Sequence, residues 1–136
     1  METRRARPLV LWAALAIAGC GGSESPPEGP AAVPGRVIVE LETPNGDDGA
    51  AVIYFRAAGI RSVAAVTPEH AVFTRSSDSV WRVAIVGDLQ SGPILYLDVD
   101  DVNESFGGTV VEVADRANLL RSPAQHYVRF RPANEG

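Results

Sequence analysis

The sequence contains no lysine; all twelve of its basic residues are arginines. Its richness in Ala, Gly, Pro and Arg matches a GC-rich genome, so the missing lysine carries no mechanistic weight. Cysteine occurs once, at Cys20, which excludes an intrachain disulfide, a two-cysteine redox pair and a cysteine-rich zinc site. Histidine occurs twice, at His70 and His126. Two lone imidazoles make a poor zinc set, and Glu69-His70 is not part of an H-E-x-x-H motif. No serine sits in a G-x-S-x-G elbow and no glycine-rich phosphate loop is present. A nucleophilic triad therefore lacks its signature. Long hydrophobic runs are missing too. The longest, Pro8 to Cys20, has 13 residues, whereas a membrane-spanning helix needs about 20.

Acidic residues dominate the charge, with 17 Asp and Glu against 12 Arg and a net charge of −5. Removing residues 1–19 would take away Arg4, Arg5, Arg7 and Glu2, leaving 9 basic and 16 acidic side chains, or −7. That balance argues against nonspecific binding to nucleic acid or anionic lipid, both of which require cationic neutralisation.

The N-terminus reads METRRARPLVLWAALAIAGC. Arg4, Arg5 and Arg7 form a positive region, Leu9 to Ile17 a short apolar core, and Ala18 and Gly19 the small residues a signal peptidase needs. Ile17-Ala18-Gly19-Cys20 resembles the lipobox of bacterial lipoproteins: an aliphatic residue, two small ones and a cysteine. The family usually has Leu where Ile17 stands. The resemblance implies cleavage between Gly19 and Cys20 and a thioether-linked diacylglycerol on Cys20, with further acylation of its new amino group. Three acyl chains hold firmly, since each buried methylene contributes roughly 0.8 kcal/mol. Gly21 follows the cysteine where the family's inner-membrane retention signal is typically Asp, which implies the outer membrane.

Residues 21–35, GGSESPPEGPAAVPG, carry four Gly and four Pro in 15 residues and no apolar period. Together with Cys20 they read as a flexible tether over 20–35. A period of two then begins. In RVIVELET, Val37, Val39 and Leu41 share one face; Ala51, Ile53 and Phe55 do the same in AAVIYFRA. Between them lies TPNGDDG, where Asn45, Asp47 and Asp48 read as turn residues. IRSVAAV, HAVFTRS, SVWRVAIVG, PILYLDV, GTVVEVAD and HYVRFR continue the series, with Trp81, Val83 and Ile85 expected in the core. Arg116 to Leu120 is the single weak helical candidate. About eight short strands at 8–12-residue spacing predict one antiparallel β-sandwich over residues 36–132, followed by a tail over 133–136. VIVELET, GAAVIYF and WRVAIVGDLQSGPILYLDV also resemble cohesin-like secreted β-sandwich modules, which implies binding on a sheet face rather than catalysis.

Two constellations stand out as candidate sites. The loop DVDDVNES gathers Asp98, Asp100, Asp101, Asn103 and Glu104, oxygen ligands of the kind Ca²⁺ takes in sets of six to eight. Counted from Asp98, however, Val102 and Asn103 fall where an EF-hand needs an oxygen ligand and a glycine, so a solvated strand end whose like charges discourage edge pairing is the competing account. The last strand carries an aromatic–basic stripe of Tyr127, Arg129 and Arg131. With Tyr54 and Arg56, or Arg82, on one sheet, it would recognise an anionic or sugar ligand; the alternative is a solubilising outer face. His70 and His126 are read as surface or strand-end residues.

The sequence thus predicts a lipid-anchored envelope protein presenting a noncatalytic binding module to a protein or polysaccharide, with no nucleic-acid partner. A structural envelope-assembly lipoprotein and a small carboxylate-dependent hydrolase are the alternatives.

Overall fold

Side-chain alternation along the chain produces two antiparallel sheets packed face to face. The computed structural model describes residues 21–22 and 25–134; the expected signal peptide over residues 1–19 and the expected lipidation site Cys20 lie outside them. Nine strands occur among the described residues: β1 Gly35–Glu42, β2 Asp48–Arg56, β3 Ile60–Ala65, β4 Ala71–Ser77, β5 Val80–Leu89, β6 Gly92–Val99, β7 Gly107–Asp115, β8 Leu120–Arg121 and β9 Tyr127–Pro132. The four-stranded sheet runs β3-β6-β1-β9 and the five-stranded sheet β4-β5-β2-β7-β8, so β1 and β2 begin opposite layers.

The expected alternation places the core. Val37, Val39 and Leu41 of β1 and Leu95, Leu97 and Val99 of β6 face Ala51, Ile53 and Phe55 of β2 and Val83 and Ile85 of β5, all nearly sealed from solvent. Trp81 packs partly buried against this cluster. Phe130 closes the side between β7 and β9: its ring meets Phe55 edge-on at 5.8 Å and stacks on Phe106 at 5.8 Å. The β4–β5 hairpin turns on Asp78 (φ 46°) and Ser79 (φ 66°), the two left-handed residues that a twist-matched two-residue turn requires.

The weak helical candidate is not a helix. Asp115 Oδ1 accepts hydrogen bonds from the amides of Ala117 (2.8 Å) and Leu119 (3.0 Å), and Asn118 takes φ 62°. Such a side-chain turn competes with helical bonding. It folds the chain back so that Leu120–Arg121 pairs with β7 as the short strand β8. At the other end, β1 begins at Gly35 and the backbone of Val33 is already bonded to the fold. Val33 accepts from the Val102 amide (2.8 Å) and donates to Asp101 Oδ1 (3.1 Å).

Candidate functional site

The acidic loop disperses its carboxylates rather than converging them. Asp98 receives Arg36 at 2.8 Å and Ser62 at 2.8 Å. The Arg36 hydrogen bond, followed by that of Ser62, holds its carboxyl below the usual range. Asp100 pairs with Arg61. Asp101 accepts from the backbone and side chain of Asn103 and from Val33, and these bonds to its charged form lower its pKa as well. Glu104 lies instead beside a cleft of about 310 Å³ with Val102, Phe106 and Phe130. Among the described residues no three Asp, Glu, His or Cys side chains stand close enough to hold a metal ion.

The aromatic–basic stripe is split between the two layers. Tyr127, Arg129 and Arg131 lie on β9 in the four-stranded sheet, whereas Tyr54, Arg56 and Arg82 lie on β2 and β5 in the other. Arg129 reaches Glu42 at 2.7 Å and Arg131 reaches Glu40 at 2.7 Å, each diagonally across to β1, so both cations meet acids within their own sheet. Tyr127 is exposed and its hydroxyl donates to the Ala124 carbonyl.

One cluster was not expected. Asp48, read as a turn residue, is fully buried at the start of β2, and His126, read as a surface or strand-end residue, is 5% exposed. His126 Nε2 lies 2.9 Å from Asp48 Oδ2, Arg121 Nη1 donates to Asp48 Oδ1 at 2.9 Å, and Thr43 and Asn45 donate to the same carboxylate. Burial alone would raise the Asp48 pKa, but the hydrogen bonds from Thr43, His126, Arg121 and Asn45 together carry it below the ordinary value. The Thr43 hydroxyl donates to the carboxylate and not to the imidazole, so the three groups do not form a nucleophile–base relay. They tie the β1–β2 loop, β8 and the entry to β9 together.

A signal for His126 existed in the sequence: it shares the parity of the inward residues Val128 and Phe130. Asp48 gave none. Counting back by two from Ala51 makes Gly49 the inward residue, and only the bulge between Asp48 and Ala50 turns Asp48 inside.

The outer face of the five-stranded sheet gathers a different set of side chains. Cross-strand register aligns Ala71, Val86, Ala50, Ala114 and Leu120 in one row spanning all five strands, about 19 Å at the usual strand spacing. The next row adds Phe73, Ala84 and Val52 before ending in Glu112. Phe73 is 64% exposed and Leu120 78%, with small alanines between them. The third row is Arg75, Arg82, Tyr54 and Thr109. Arg82 lies over the Tyr54 ring at 5.8 Å and reaches Glu112 at 3.5 Å. Beyond it, Arg56, Tyr54, Val80, Thr109 and the glycines Gly107 and Gly108 line a groove of about 690 Å³.

No family model, curated protein or solved structure matches the chain.

Proposed function

We propose that the chain is a lipid-anchored, noncatalytic binding module of the bacterial envelope, with Cys20 as the anchor and the outer face of the five-stranded sheet as the ligand surface. One observation carries the placement of that surface. Exposed apolar side chains and a groove lined by polar and cationic groups occupy a single sheet face. A contiguous exposed apolar patch beside polar groups is the usual mark of an interaction surface rather than of idle exterior. The opposite outer face is filled with internal pairs, Arg36 with Asp98, Arg129 with Glu42 and Arg131 with Glu40, which leaves its charged groups less to offer a partner.

The signal-like residues 1–19, Cys20 and the Pro/Gly-rich stretch to residue 35 support delivery of the module to the outer membrane. The test presents the full chain to an envelope extract and to purified envelope polysaccharides, with and without calcium. Phe73→Ser reports on the proposed face and Arg129→Ser on the opposite one. One saturable ligand, weakened by the first substitution and not by the second, supports the reading. Absence of any saturable ligand, or equal loss in both variants, overturns it. Loss of binding on chelation would bring Asp98, Asp100, Asp101, Asn103 and Glu104 into ligand contact.

A further inference from the structure

Nine arginines follow residue 20 in this acidic chain, and seven of them meet a carboxylate within the fold. Arg36 pairs with Asp98, Arg61 with Asp100, Arg82 with Glu112 and Arg116 with Asp88; Arg121 pairs with Asp47 and Asp48, Arg129 with Glu42 and Arg131 with Glu40. Arg56 and Arg75 have no acidic partner among the described residues, and both lie on the outer face of the five-stranded sheet. Arg75 stands directly across from Arg82, a like-charge cross-strand pair that disfavours the sheet itself. The Cα atoms of Arg75 and Arg56, two strands and two residues apart, are separated by about 12 Å, and long side chains close much of that gap. Arg82 lies on the intervening strand, directly across from both Arg75 and Tyr54, and Tyr54 precedes Arg56 by two residues on β2.

No packing contact demands a glycine at Gly107, which lines the groove beside them. A Cβ at Gly107 would meet nothing closer than the Arg56 carbonyl oxygen at 3.8 Å, and Gly107 is not among the positive-φ glycines. A Cβ would fit there, and a longer side chain at this position would occupy the groove that Gly107 lines.

We infer that Arg56, Arg75, Arg82 and Tyr54, with the Gly107 groove, bind an acidic polysaccharide, a polymer of carboxylate-bearing sugars. This rests on the binding-module reading and gives it a ligand class. Guanidinium groups match carboxylates bidentately, and an aromatic ring offers a sugar an apolar face beside a hydroxyl donor. An extended polymer fits an open groove that crosses strands better than a compact ion does. The few cations on this acidic molecule supply too few phosphate contacts for nonspecific nucleic-acid binding.

The experiment titrates the full chain with polygalacturonate, with its methyl-esterified neutral form and with single-stranded DNA. Polygalacturonate is expected to bind, more weakly as salt rises, while the neutral form and the DNA bind at least tenfold more weakly. Arg56→Ala and Arg75→Ala should each weaken binding about tenfold. Gly107→Leu should abolish it while leaving the thermal midpoint near that of the parent, and Arg129→Ala should have no effect. Equal binding of the neutral polymer, tighter binding of DNA, or indifference to Arg56→Ala and Arg75→Ala overturns the inference. If polygalacturonate fails while another ligand is still lost in Phe73→Ser, the ligand class is wrong and the module reading stands. Failure of every ligand removes both.

Discussion

Replacing Asp48 with alanine removes the acceptor shared by His126, Arg121, Thr43 and Asn45 and strands an imidazole in the interior. Each buried polar group left without its hydrogen-bond partner costs roughly 1–3 kcal/mol, and here several lose the same acceptor at once. Urea unfolding of Asp48→Ala should show a loss of about 3 kcal/mol; a change under about 0.5 kcal/mol, typical of a surface substitution, would show that the cluster is not a structural tie. The same residue sets an acid limit. Its folded-state pKa lies below the unfolded value, so the stability it contributes is complete above the unfolded carboxylate range and is lost as pH falls through the folded value. Asp47, held low chiefly by its hydrogen bond from Arg121, and Asp98, held low chiefly by that from Arg36, act in the same sense. The urea midpoint should therefore begin to fall below about pH 4, and Asp48→Asn should make that fall shallower. An unchanged slope in the variant would assign the acid sensitivity to other carboxylates.

At the level of elements, two adjacent glycines at the start of β7 have opposite roles. Gly107 faces the open groove, whereas a Cβ at Gly108 would lie 2.5 Å from Val128 Cγ2 and 2.9 Å from Phe130 Cζ. Gly108 lets β7 approach β9 closely enough for the Phe55–Phe130–Phe106 cluster to close that side of the sandwich. Gly108→Val should destabilise by about 1–3 kcal/mol through overpacking, while Gly107→Leu should stay near neutral, as read by thermal unfolding of the pair side by side. Equal effects would mean that backbone freedom and not packing governs both positions. Strand identity was legible because the burial of Val37, Val39, Leu41, Ala51, Ile53 and Phe55 follows a period of two that is written in the sequence. The Arg116–Leu120 segment misled because its short run of helix-compatible residues says nothing of the Asp115 carboxylate capturing two amides.

For the whole molecule, the anchor and the sheet face make separate claims. Cys20→Ser should abolish incorporation of labelled palmitate and release the chain from the membrane fraction; a variant that remains labelled and membrane-bound would refute the lipobox reading. The sequence by itself determined an all-β sandwich, since alternating burial and turn chemistry are local properties that each strand carries alone. Which strands share a layer was decided only by tertiary structure, because alternation tells inside from outside but does not name a neighbour. Hence Tyr127, Arg129 and Arg131 of β9 stand apart from Tyr54, Arg56 and Arg82, and their charges are met by Glu42 and Glu40 of β1. Likewise a one-residue bulge, invisible in composition or period, turned Asp48 inward to meet His126 from the far end of the chain.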